Sequence, residues 1–122
     1  MHAIMATIDF NETQKAAIVS LLIEMINADQ EVHPNECAVF DSICVEYGIS
    51  EDTFSLGRSL DSMVAIDIMK RMSDVQKIAT AQMLTRVIDA DAKDDDKEIQ
   101  LFNTICVFTG VDTLVNTRDG KG

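Results

Sequence analysis

The sequence predicts an all-α fold, a compact helical bundle of two helix–loop–helix repeats that are related by a pseudo-twofold axis and joined by a short helical connector. Three observations support this prediction. The 122 residues include one Pro and five Gly, and helix-forming residues recur throughout, which favours long helices over loops. Apolar residues recur at helical spacing, whereas alternating strand patterns are hard to find. Residues 11–49 also align without a gap on residues 73–111.

The first repeat, residues 11–49, is expected to begin with a helix over 12–28 that Asp9 or Asn11 caps. The wide apolar stripe of this helix predicts a central position in the bundle. Pro34 suits the first position of the next helix, and Gly48 is expected to end that helix in a left-handed conformation. One face of the second helix is predicted to carry Glu36, Phe40, Ile43, Cys44 and Tyr47.

The connector, residues 50–72, is predicted to contain two short helices. Ser50 caps the first of them, and Asp61 opens the second. Three methionines of the second helix stand at the spacing of a buried helix face, and an adaptable partner surface is the alternative interpretation. These residues are Met63, Met69 and Met72.

The second repeat, residues 73–111, is expected to start with a helix that Asp74 caps and that runs to Ala90. A final helix ends at Gly110, and the tail over 112–122 has no helical periodicity. The inward face of this final helix is predicted to comprise Phe102, Ile105, Cys106 and Phe108. We expect one domain of two repeats, a connector and a tail.

Net charge and cysteine usage narrow the class of protein. The formal charge is −11, and residues 1–61 carry −9 of it, from eleven acidic residues against Lys15 and Arg58. Such a field disfavours nucleic acid and suits metal cations, basic partner surfaces or simple solubility, of which the last is the commonest explanation. Three cysteines without a CxxC pair do not form a disulfide framework, and no apolar stretch is long enough to span a bilayer. A reducing cytoplasm is the expected location.

The joint between the two helices of each repeat carries the candidate site. Asp29 and Asp91 each follow an alanine at the end of an apolar helix, where a carboxylate faces the negative end of the helix dipole. A glutamate stands seven residues after each aspartate. Two interpretations remain open: turn and capping-box roles, or a divalent cation such as Ca²⁺ or Mg²⁺ bound by four carboxylates. The candidate ligands are Asp29, Glu36, Asp91 and Glu98, with Asp94 and Asp95 as further candidates.

In this repeated joint the chain resembles the TerB family of tellurite-resistance proteins. The family signature, Ala-Asp-Gly-x-hydrophobic-x-x-x-Glu, occurs twice, and the residues that match it here are Ala28, Asp29, Val32 and Glu36, then Ala90, Asp91 and Glu98. Gln30 and Ala92 replace the glycine, and Asp94 replaces the second hydrophobic residue. The resemblance spans about residues 12–111. It implies an all-α, non-enzymatic protein of bacterial tellurium and stress responses that binds a metal through the acidic positions and works in membrane-linked complexes.

Other classes of function were weighed against this one. The sequence has no Walker A loop, GxGxxG, HExxH or GxSxG motif, so we do not expect an enzyme. A helical protein-interaction module without metal, including a homo-oligomer, is the main alternative, with the carboxylates as caps and solvated surface. A more distant alternative is an acyl-carrier-like protein modified at Ser62, because Asp61-Ser62-Met63 is similar to the carrier motif.

Overall fold

Six helices form the described part of the chain. The structure is a computed structural model that describes residues 8–28, 33–90 and 96–114. Its helices are α1 (Glu12–Ile26), α2 (Pro34–Glu46), α3 (Glu51–Ser59), α4 (Ser62–Lys70), α5 (Asp74–Ala90) and α6 (Asp96–Thr109). Within these ranges no residue lies in a strand. The all-α prediction is therefore confirmed.

Helix α1 lies at the centre of the bundle, as its wide apolar stripe predicts. It packs against α3, α4 and α5, and its apolar side chains are buried on more than one face, Ala17, Val19, Leu22 and Met25 completely. The approach of α3 to α1 depends on Gly57, where an added Cβ would lie 2.5 Å from Val19 Cβ and 2.7 Å from the Ala16 carbonyl oxygen. A helix covered on several sides must be apolar almost all round.

Helices α1 and α5 begin with the same capping box. Asn11 accepts a hydrogen bond from the Gln14 N–H at 2.8 Å, and the Gln14 side chain accepts one from the Asn11 N–H at 2.9 Å. In α5 the partners are Ser73 and Gln76, at 3.1 and 3.0 Å. Ser73, one residue before the predicted cap, is therefore the cap of α5, because Asp74 is already the first helical residue.

Equivalent residues of the two repeats meet at the start of these helices. Gln14 and Gln76, which are 62 residues apart, donate to each other's side-chain oxygens at 3.4 and 3.2 Å. A residue can contact its own equivalent only close to the axis that relates the two. The ends of the second helices also correspond, since Gly48 and Gly110 both have positive φ, 61° and 88°. Gly48 therefore ends α2 as predicted.

The two halves differ where α2 packs on α5. Arg86 of α5 donates two hydrogen bonds to the Glu46 carboxylate of α2, at 3.0 and 2.8 Å. The positions equivalent to Arg86 and Glu46 are Glu24 and Phe108, which cannot form an ion pair. The predicted burial of Phe108 is wrong. Its side chain is 54% exposed, because it occupies the outward position that Glu46 has in the first repeat.

The connector and the chain end agree with the prediction only in part. Ser50 and Asp61 cap α3 and α4 as predicted. Met69 and Met72 are buried in the core, whereas Met63 at the start of α4 is 60% exposed. Residues 111–114 form a further helical turn with Val111 buried, so the predicted irregular tail is wrong for 112–114. Across the described ranges, no helix is long and apolar enough to cross a membrane.

Candidate functional site

Two glutamates at equivalent positions are the central feature of the candidate site. Glu36 is the third residue of α2 and Glu98 the third residue of α6. Their exposed fractions are 0% and 1%, so they rank with core side chains such as Ile43 and Ile105. The sequence places Glu36 on one face of α2 with Phe40 and Ile43, but the burial of the two glutamates was not predicted. The apolar residues that share this face in both repeats are the signal that would have indicated it.

Helix geometry explains how both side chains come to lie inside the bundle. Glu36 stands four and seven residues before Phe40 and Ile43, which are both buried, and this spacing keeps all three on one helix face. Glu98 has the same spacing from Phe102 and Ile105, of which Ile105 is buried. Each glutamate therefore lies on the core-facing side of its helix. The apolar residues of that side follow it one and two turns later.

A carboxylate at this depth needs compensation. Burial of an ionised carboxylate costs several kcal/mol unless hydrogen-bond donors or an opposite charge surround it. The cost of burying a carboxylate at a helix start can be offset in three ways: by backbone N–H groups, by protonation of the carboxyl itself, or by a cation. In the first turn of α2 the Glu36 N–H donates to the His33 carbonyl at 3.0 Å.

The other candidate ligands lie outside the described residues. These are Asp29, Asp91, Asp94 and Asp95, so the distances from them to the two glutamates are not given by the structure. The chain is described up to Ala28 and Ala90, which directly precede Asp29 and Asp91 and are both half-buried. Within the described ranges alone, no group of three or more His, Cys, Asp or Glu side chains could hold a metal ion.

The two joints are not identical in their described parts. Helix α1 ends at Ile26, whereas α5 continues to Ala90, two positions beyond the equivalent of Ile26. Before α2, His33 occupies the cap position without a side-chain capping bond, and Pro34 starts the helix. Helix α6 starts at Asp96, the position equivalent to Pro34. The second joint thus spans fewer residues between its two helices and contains more carboxylates.

Other ionisable groups of the described chain have structural roles. Hydrogen bonds from Thr53, and then Lys15, hold the pKa of Glu12 below its ordinary value. Burial raises the pKa of the Cys44 thiol and raises that of Cys106 to about 11. These thiols are weak nucleophiles at neutral pH, because the thiolate is the reactive form.

Two open cavities of the described surface are lined by residues other than the two glutamates. One, of about 350 Å³, lies between residues 8–10 and the end of α2, with Lys15 in its wall. Another, of about 420 Å³, is bordered by Asp41, Ser42, Val45 and Glu46. Glu36 and Glu98 lie outside both, so the joint carboxylates do not belong to a substrate-sized opening of these two.

Comparison with known proteins finds a solved structure with a similar fold, and the function of that protein is unknown. No family model matches the chain, and no curated protein matches it. The chain is similar to the crystal structure of a protein of unknown function from Porphyromonas gingivalis W83, with a TM-score of 0.74 and 25% sequence identity. The match covers 86% of this chain and 89% of that chain. A chain of nearly the same extent therefore adopts a similar fold.

Proposed function

We propose that this chain is a TerB-like, non-catalytic helical module that binds a divalent cation through its two acidic joints. The observation that carries the proposal is the burial of Glu36 and Glu98, at 0% and 1% exposure, on equivalent positions of the two repeats. A carboxylate at the surface would need no special explanation, since charged residues are normally solvated. Two buried carboxylates in the same register require a common physical reason.

A cation supplies such a reason. Hard divalent cations prefer carboxylate and carbonyl oxygens, and each joint places an aspartate after one helix and a buried glutamate near the start of the next. Asp29 and Glu36 would serve the first joint, Asp91 and Glu98 the second, with Asp94 and Asp95 adding charge to the second. A bound cation would offset the cost of the buried glutamates and hold the two helices of a repeat together.

The biological setting follows from the resemblance to TerB proteins. In that setting the module belongs to a bacterial tellurium or stress response, where it works with partner proteins in the cytoplasm or at the inner face of the membrane. The alternative is an interaction module without metal, in which the glutamates only cap α2 and α6. Burial of both glutamates favours the cation, because a capping side chain does not have to leave solvent.

Calorimetric titration of the full chain with Ca²⁺, Mg²⁺, Mn²⁺ and Zn²⁺ tests the proposal, together with the melting temperature at saturating metal. We expect saturable heat for at least one cation. At a hundredfold excess over Kd, one bound ion adds about 2.7 kcal/mol to the free energy of unfolding. For a chain of this size this amounts to several degrees in melting temperature.

Neutral variants separate the cation site from a capping role. Glu36→Gln and Glu98→Gln should weaken or abolish the metal effect, because the amide carries no charge, and glutamine can still serve at the capping-box position. Asp41→Asn, at an exposed position of α2, is the matched control and should bind as the parent chain does. Absence of heat and of any thermal shift at millimolar metal would refute the site.

A further inference from the structure

Helix α2 connects the first joint with the second repeat. It begins directly after the first joint, where Glu36 is buried, and it ends at Glu46. Ten residues of α-helix separate these two glutamates, a distance of about 15 Å along the helix axis. Although α2 belongs to the first repeat, it packs on α5 of the second repeat as well as on α1. One helix therefore joins the candidate site of one repeat to the core of the other.

The far end of α2 is fixed to the last part of α5. Arg86 donates two hydrogen bonds to the Glu46 carboxylate, at 3.0 and 2.8 Å. Arg86 stands four residues before Ala90, where α5 ends, and four residues are about one helical turn. Asp91, a candidate ligand, follows Ala90 directly in the sequence. The ion pair thus connects α2 to the turn of α5 that leads into the second joint.

The equivalent positions of the other half do not carry such a connection. Helix α6 packs on α1, as α2 packs on α5. The residues equivalent to Glu46 and Arg86 are Phe108 and Glu24, and a phenyl ring and a carboxylate cannot form an ion pair. At these positions the two halves are therefore asymmetric, because the charged contact is present in only one of them.

We propose that cations at the two joints bind cooperatively and that the Arg86–Glu46 ion pair transmits the coupling. This inference rests on the proposed cation function and adds its regulation. A cation bound by Glu36 fixes the first turn of α2 against the end of α1. Because a helix moves as a unit, the cation also fixes the Arg86–Glu46 pair and with it the turn that precedes Asp91. Binding of the second cation then costs less conformational entropy, so the second cation binds more tightly.

The exposure of the ion pair limits the size of the coupling. The side chains of Arg86 and Glu46 are 41% and 47% exposed, and ion pairs of this kind change an equilibrium constant by a factor of about two to five. We expect positive cooperativity of that size. Each cation must promote binding of the other to the same extent, because coupling between two binding equilibria is reciprocal. High NaCl should reduce the coupling, since salt screens a partly exposed ion pair.

Calorimetric titration of the full chain measures the coupling, with whichever of Ca²⁺, Mg²⁺, Mn²⁺ and Zn²⁺ gives the largest heat. Glu98→Gln leaves the first joint intact and Glu36→Gln leaves the second intact, so each variant gives the Kd of one joint alone. Without coupling, the product of these two constants equals the product of the two constants of the parent chain. With coupling, the product for the parent chain should be smaller by a factor of about two to five.

Variants of the ion pair test whether it transmits the coupling. In an Arg86→Met background, the same three titrations should give equal products. The charge swap, Arg86→Glu combined with Glu46→Arg, restores a pair of opposite orientation and should restore the difference. Arg71→Met is the matched control, because it removes the same charge from the Arg71–Asp67 pair of α4, at 3.2 Å, and it should leave the difference unchanged. Circular dichroism checks that each variant remains folded.

The possible failures are distinguishable. Binding at both joints with equal products in the parent chain would remove the coupling and leave the proposed cation function in place, and so would a single cation shared by the two joints. A coupling that persists in the Arg86→Met background would contradict the assigned role of the ion pair. Absence of heat with all four cations would refute the proposed function and this inference together.

Discussion

Two buried glutamates at the same register mark the site most clearly at the scale of single residues. A glutamate with 0–1% exposure has exchanged nearly all its water for protein or for a ligand, and this chain does so at both Glu36 and Glu98. Their neighbours along the helix are ordinary core residues, so packing alone would favour an apolar side chain at either place. Retention of a carboxylate in both repeats is the physical basis of the cation proposal.

Cys106 gives a residue-scale prediction that depends on pH. Burial raises its pKa to about 11, and Asp112 adds to the effect, so little thiolate is present at pH 8. In a variant with Cys37 and Cys44 replaced by alanine, iodoacetamide should alkylate folded Cys106 roughly a hundredfold more slowly than it does the unfolded chain. The folded rate should rise up to about pH 11. Equal rates in the folded and unfolded chains would show that the thiol is not buried.

At the scale of elements, contacts between helices decide how the bundle is assembled. Helix α3 packs on α1 through a glycine, and α2 is tied to α5 through an ion pair. The first contact depends on the absence of a side chain, and the second on two complementary ones. A substitution therefore affects each contact by a different mechanism, through overpacking in the first and through lost hydrogen bonds in the second.

The α1–α3 contact predicts that Gly57→Ala is destabilising. Alanine normally stabilises an α-helix relative to glycine by up to about 1 kcal/mol, but here the new methyl group would meet the Ala16 carbonyl oxygen at 2.7 Å. Overpacking of this kind costs about 1–3 kcal/mol, so the urea midpoint should fall. Ser55→Ala, at an exposed position of α3, is the control and should shift it little. A raised midpoint in Gly57→Ala would rule out the close contact.

The α2–α5 contact predicts a small, pH-dependent coupling between Arg86 and Glu46. Both side chains are partly exposed, at 41% and 47%, so solvent limits the pair to about 0.5–1 kcal/mol. The Arg86 hydrogen bonds hold the pKa of Glu46 below its ordinary value. The contribution is therefore complete above the unfolded pKa and is lost as pH falls through the folded one. A double-mutant cycle with Arg86→Met and Glu46→Gln should measure this coupling free energy at pH 7. The same cycle in strong acid should give a coupling free energy close to zero.

At the scale of the whole molecule, the repeat predicts most of the architecture. One offset of 62 residues relates the capping boxes, the central helices and the positive-φ glycines, because each is determined by local sequence. Phe108 shows where apolar patterning alone fails, because the equivalent Glu46 of the first repeat already indicates that this position faces outward. Asp74 shows a smaller failure, because adjacent serine and aspartate both suit a cap. The candidate joint carboxylates could be predicted only as residue types, because a spacing of seven residues across a loop does not determine where the two side chains lie in space.

The reciprocal contact between Gln14 and Gln76 has the form of a contact between two identical chains. Two identical side chains can satisfy each other across a twofold axis only if each both donates and accepts, and an amide does both. A glutamate or a lysine at both positions could not do this, because the first only accepts and the second only donates. The start of the two repeats therefore depends on a side chain that is complementary to itself.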